Sequence, residues 1–201
     1  MTEAYDPRTM NLAGILTAST STAVLVEGES DRAAVETLAA RRGLPLSDLG
    51  VQVVAMGGIT NIGHHLVALG GQDVRVGGLY DAAEERFVIK GLDRMGVRPF
   101  VATTPLSDLG FFRCDRDLED ELIRAIGVSG LLALIESEGE LRSFELLQGQ
   151  PAQRERTTVQ QLHRFIGSKS GRKERYGRRL AQVVALDRVP VPLDALLRWA
   201  T

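Results

Sequence analysis

Residues 23–31, AVLVEGESD, constrain the fold more than any other stretch of the chain. The apolar run from Ala23 to Val26 has the length and composition of a strand buried on both faces, as in parallel sheets covered by helices. It stops at Glu27, and Glu29 and Asp31 follow within four residues. A carboxylate at the end of a buried strand costs desolvation energy unless a cation or hydrogen-bond donors compensate it. Apolar runs then alternate with helix-period segments, the arrangement of βαβ units. Strands are expected at Ala23–Glu27, Val51–Met56, Asp73–Asp81, Pro99–Thr103 and Phe111–Cys114. Helices are expected at Ser30–Arg42, Ile59–Leu69 and Ala82–Met95, and beyond Asp117 the pattern becomes helical: Leu118–Ile126, Val128–Glu138, Val159–Ile166, Arg172–Leu186 and Leu193–Trp199. The expected fold is α/β, a mainly parallel sheet flanked by helices, with a C-terminal helical extension. QGQPAQRERTT, between two of these helices, reads as a linker or exposed loop.

Charge is divided unevenly. Residues 1–150 hold 13 Lys and Arg against 22 Asp and Glu, whereas residues 151–201 hold 11 against 4. Six of those basic residues fall in KSGRKERYGRR, from Lys169 to Arg179. An acidic body with a basic tail suits a site that holds metal in carboxylates and a polyanion in arginines, although a basic helix face is also a common solvated surface. Arg172, Arg175, Arg178 and Arg179 recur at helical spacing and are the expected nucleic-acid-binding stripe. One cysteine, Cys114, permits no internal disulfide and fits a reducing compartment. With neither a signal-peptide pattern nor a long apolar run, a cytoplasmic location away from membranes is expected.

In a parallel sheet, strand C-termini share one edge and ligands bind in the crevice there. Glu27 ends the first strand, Asp81 ends the third, and Asp31 lies in the first turn of the helix after Glu27, so the three should converge. Oxygen ligands of this kind suit Mg2+ or Mn2+. Structural readings stand beside this one: Asp81-Ala82-Ala83-Glu84 also fits a capping box, and Asp31 also fits a helix-dipole partner. Gly57-Gly58 could offer backbone N–H groups to a phosphate, or could serve a tight turn alone. His64 and His65 point in different directions on a helix and are assigned to packing or surface.

LVEGESD, VVAMGGITNIG, GLYDAAEE, FFRCDRDLEDEL and GRKERYGRRLA, in that order, resemble the TOPRIM domain of the OLD (overcoming lysogenization defect) nucleases. The resemblance implies a Rossmann-like TOPRIM core over residues 23–127, after an N-terminal segment (1–22). A helical extension (128–201) follows, with its basic helix packing back on the core. It implies that Glu27, Asp31 and Asp81 are metal ligands, that Glu119 in DLED completes the site, and that Lys173 steadies charge on a phosphate. The family pattern has Asp-x-Asp after the third strand. Here Ala83 stands in the second place and Glu84, a further candidate ligand, comes one residue later, which redirects its side chain. No G-x-x-x-x-G-K-[ST] is present, so an ATPase partner would be a separate polypeptide. The implied function is an Mg2+- or Mn2+-dependent endonuclease acting on DNA, with RNA as the second candidate substrate. The alternatives are a non-catalytic module that binds nucleic acid or an ATPase, and a nucleotidyl-transfer activity on the same scaffold.

Overall fold

The computed structural model describes residues 16–96, 104–169 and 171–201. Four strands, β1 (Thr22–Val26), β2 (Val51–Ala55), β3 (Arg75–Asp81) and β4 (Phe111–Cys114), form one sheet in the order β2-β1-β3-β4, and all three pairings are parallel. The strand expected at Pro99–Thr103 lies outside the described residues. The helices are α1 (Glu29–Arg41), α2 (Ile62–Leu69), α3 (Glu85–Arg94), α4 (Leu118–Ser137), α5 (Leu141–Gln148), α6 (Thr158–Ile166), α7 (Arg172–Val183) and α8 (Val191–Ala200).

β1 occupies the centre, and each of its five residues is buried. Alternation along the strand divides the apolar interior in two. Ala23 and Leu25 join Val54, Met56, Leu66, Tyr80 and Val88 beneath α2 and α3. Val24 and Val26 join Val53 and Leu79 on the opposite face, continuous with Leu38, Leu122, Ile135, Phe165, Tyr176 and Leu196. α1 and the helices after β4 therefore close a single apolar layer. At the boundary expected at residue 127, Gly127 (φ 79°, ψ 163°) is non-helical and kinks α4 between two helical segments, both of which contribute to that layer.

Two elements differ from the sequence expectation. α5 went unforeseen because it is short and buries only Phe144 and Leu147, too few anchors to show a helical period. The QGQPAQRERTT segment is not simply a linker. Pro151–Gln153 forms a helical turn, Gln153 is buried, and Thr157 and Gln160 make a reciprocal capping box that starts α6.

α7 is seated on α1 at two points. At Gly177 the helices approach so closely that an added Cβ would lie 2.5 Å from the Ser30 carbonyl oxygen. At the other end Arg41 donates to the carbonyls of Ala181 and Val184, 2.7 Å each. Arg41, in the last turn of α1, thus satisfies the last carbonyls of α7. Because Lys173 precedes Gly177 by one helical turn, this seating also fixes where its ammonium lies.

Gly177→Ala is expected to destabilise the protein by ~1–3 kcal/mol, since the obstructing atom is backbone and cannot rotate away. Urea unfolding measures this. No loss, or the gain of about 0.5–1 kcal/mol expected of Gly→Ala in an exposed helix interior, would show that α7 has room to move.

Candidate metal and phosphate site

β1 and β3 run side by side, and Leu25 lies opposite Gly78, which brings Glu27 level with the Tyr80–Asp81 end of β3. Asp81 heads the helical turn Ala82–Glu84, and its side chain makes no capping hydrogen bond, so the capping-box reading does not hold. The turn swings Glu84 back toward the sheet edge, and one carboxylate oxygen from each of Glu27, Asp81 and Glu84 lies within 4.8 Å of the others. Ala83 is exposed. Displaced by one residue, the Glu84 acid thus still lies beside Glu27 and Asp81.

These three carboxylates share a small cavity with Asp31, walled by Ile59, Leu79, Cys114 and Leu118. Burial in these apolar surroundings pushes the Asp81 carboxyl up to about 8, and the charges of Glu84, Asp117, Glu27 and Asp31 add to the effect. Glu84 is raised too, by burial and then by Glu27. Its Oε2 is buried and has no hydrogen-bond partner among the described residues. Hard oxygen donors, excess negative charge and an unpartnered buried oxygen are what a divalent cation would satisfy. The residues present therefore fit such an ion.

Asp31 and Glu119 form an adjoining buried pair. Asp31 Oδ2 accepts the Gly28 N–H at 2.9 Å, so this residue also serves the start of α1. Its carboxyl is pushed up to about 7, first by burial and then by Glu119; the Gly28 N–H and Lys173 oppose the shift. Glu119 sits in the first turn of α4 with Oε1 3.4 Å from Lys173 Nζ. Burial pulls the Lys173 ammonium toward neutrality, but Glu119, Asp31 and Glu27 more than offset it and hold the pKa above its usual value. The structure thus brings together Glu27, Asp81 and Glu84 around one point, with Asp31, Glu119 and Lys173 beside them.

Outside this cavity an open cleft of about 380 Å³ is bounded by Glu27, Gly28, Ser30, Gly57, Gly58 and Lys173. Gly58 N–H donates to the Glu27 carbonyl, and the Asn61 amide donates to Met56 and Gly57 carbonyls. Those donors shape the loop and are not available to a phosphate.

The expected arginine stripe is corrected at Arg172. Its side chain is buried, donates to Glu140 Oε1 (2.9 Å), Ser168 Oγ (2.7 Å) and the Phe165 carbonyl (3.1 Å), and stacks on the Phe165 ring. Arg175 is paired with Glu140 at 2.6 Å and Arg179 with Glu138 at 2.7 Å. Of the four, Arg178 alone is exposed and unpaired among the described residues. Sequence reading missed Glu138 and Glu140, which lie more than thirty residues before their partners and carry no motif. It missed a second long-range pair as well: His163 Nε2 and Asp117 Oδ2 lie 2.7 Å apart, tying α6 to the start of α4.

The family profile described as "Overcoming lysogenization defect protein-like, TOPRIM domain" matches residues 20–82, which hold Glu27, Asp31 and Asp81. The chain carries an OLD-like TOPRIM domain. The solved structures it resembles include the C-terminal region of the Xanthomonas campestris pv. campestris OLD protein: TM-score 0.68, 23% identity, 92% of this chain and 96% of that chain covered. They also include the C-terminal region of the Burkholderia pseudomallei OLD protein, with TM-score 0.64, 21% identity and 90% and 96% coverage. At these identities the likeness establishes the fold, and it reaches well beyond the matched TOPRIM segment into the helical extension. No curated protein matches the chain. The OLD-like TOPRIM domain is a metal-binding domain associated with nucleic acids, and this chain holds a cluster of three converging carboxylates. No helix among the described residues is long and apolar enough to cross a membrane.

The raised carboxyls give a stability prediction. A group whose folded pKa is raised contributes stability that is complete below its unfolded pKa and is lost as pH climbs through the folded value. In chelator, the melting temperature should therefore fall from about pH 4 to about pH 8 as Asp31 and Asp81 ionise. Mn2+ or Mg2+ added at the alkaline end should restore much of the loss by binding the ionised carboxylates. Calorimetric melts with and without metal check this, and Asp81→Asn should flatten both the pH and the metal response.

Proposed function

We propose that the protein is a divalent-metal-dependent nuclease that hydrolyses phosphodiester bonds in DNA. The observation that carries this reading is the 4.8 Å convergence of Glu27, Asp81 and Glu84 beside the Lys173 ammonium, at the mouth of an open cleft. Glu27, Asp81 and Glu84 would hold an Mg2+ or Mn2+ ion, with Asp31 and Glu119 as the adjoining acids. When bound, such an ion supplies Lewis-acid polarisation of a phosphate oxygen and lowers the pKa of water. The protein's own part is positional. The loop after β1 and the turn after β3 aim their acids at one point, and the wall of Leu79, Cys114 and Leu118 keeps bulk water from the inner face of the cavity. Lys173, anchored to Glu119 and lining the outer cleft, is placed to neutralise charge that develops on the scissile phosphate.

Purified protein should nick or linearise plasmid DNA in Mg2+ or Mn2+ and stop when chelator is added. Glu27→Ala and Glu84→Ala should each abolish cleavage. Ala83→Asp should leave it unchanged, since position 83 faces solvent while the acid role is taken by Glu84. A fully active Glu84→Ala variant would remove this acid from the site. Lys173→Ala should lower the single-turnover rate by roughly 10²–10³-fold while leaving DNA affinity nearly intact, because a charge that acts on the transition state adds little to the ground state.

A further inference from the structure

The polar face of α6 forms half of a second cleft, which the acidic site does not use. Gln161, Leu162, Phe165 and Ile166 turn inward and are buried. The opposite face carries Arg156, Gln160, His163, Arg164 and Gly167, recurring at intervals of three and four from the residue before the helix cap to the residue after its last turn. Arg116, immediately before the cap of α4, closes the other side. Together these six residues line a cleft of about 500 Å³ that includes no carboxylate.

Three features separate this from an ordinary solvated helix face. The arginines are concentrated: Arg116, Arg156 and Arg164 come from two elements and meet around one concavity. They are also largely uncommitted. Arg156 and Arg164 have no carboxylate partner among the described residues, and Arg116 makes only a long contact with Asp117 (3.9 Å) and one with His163 Nδ1 (3.4 Å). The arginines of α7 are the contrast, since Glu138 and Glu140 hold three of them. Third, the cleft is mechanically joined to the metal-binding acids. His163 Nε2 lies 2.7 Å from Asp117 Oδ2, Asp117 caps α4, and Glu119 is two residues further on. Only Asp117 and Leu118 lie between Arg116 and Glu119, so their Cα atoms lie within about 11 Å even if that stretch were fully extended.

We propose that this cleft binds the sugar–phosphate backbone of a nucleic-acid strand, holding it at Arg116, Arg156 and Arg164 while the strand continues toward the acidic site. Guanidinium groups suit phosphate oxygens because their planar fork donates two parallel hydrogen bonds. Contacts of this kind position a strand without reading its sequence. The proposal rests on the nuclease reading for the direction in which the strand runs; binding itself requires neither metal nor cleavage.

The test is therefore made in EDTA. Affinity of the full chain for a 20-nucleotide single strand and for the matching duplex is measured by fluorescence anisotropy across a salt series. Each phosphate contact contributes about 0.9 to the slope of log K against log salt for duplex and about 0.7 for a single strand. Arg156→Glu with Arg164→Glu should lower that slope by about twice the per-contact value, equally for unrelated sequences. Arg156→Lys with Arg164→Lys should keep most of the slope, because the charge remains. Both arginine side chains are exposed, so melting temperatures should match the wild type. Should the glutamate pair fail to fold, the Arg156→Gln and Arg164→Gln pair removes the same two charges and must give the same fall in slope. An unchanged slope and affinity in the charge-removed variants overturns the proposal, as does absence of oligonucleotide binding by the wild type. Absence of plasmid cleavage by the wild type in Mg2+ or Mn2+, with the slope effect intact, would overturn only the nuclease reading.

Discussion

The concentration of carboxylates at one edge of the sheet is the constraint to which the rest of the molecule answers. β1 is buried along its whole length, so the acid that follows it starts from a low-dielectric position, and β3 delivers a second acid to the same level. Glu84 and Asp31 add two more within one cavity. Burial, and then mutual repulsion, raise the Asp31 and Asp81 carboxyls far above the usual carboxylate range. Lys173 opposes the charge of this group, as Arg86 does at Glu84, and it arrives from a helix roughly 150 residues beyond Glu27 in the sequence. Its position depends on α7 lying tightly on α1, which in turn depends on a missing side chain at Gly177 and on Arg41 holding the far end of α7.

The same logic explains why so many arginines of α7 face protein. Arg172 is buried, and a buried guanidinium left unpaired would be strongly destabilising. Glu140 answers it, receives Arg175 and the Tyr176 hydroxyl as well, and is held below the usual carboxylate range by those donors despite its partial burial. Glu138 pairs with Arg179. This network fixes the start and register of α7, so the basic residues around Lys173 serve chiefly to place it. The arginines on α6 and before α4 lack such partners, and there the positive charge stays open to solvent.

Much of the sheet was legible in the sequence because local rules govern it. The strand at Phe111–Cys114 keeps its expected bounds, and Gly127 breaks the helical pattern at the residue where the backbone bends. Glu27, Asp31 and Asp81 could be expected to converge because parallel connectivity sends strand ends to one side. α5 could not be read, since two buried residues in eight set no period. The role of Glu84 could not be read either. Whether a displaced acid still reaches the cluster depends on a short helical turn whose geometry is decided by what packs around it.

By itself the sequence determined the α/β class, the central buried strand and the chemistry of the sheet edge, because period, chain connectivity and residue type are local properties. Only the tertiary structure decided which arginines are paired and which are open, that Glu84 lies beside Glu27 and Asp81, and that α6 is tied to α4 through His163 and Asp117. Each of those outcomes turns on contacts between side chains and on their burial. A pattern of spacings specifies which residues share a helix face, but the partner that face meets is set by packing across the whole chain.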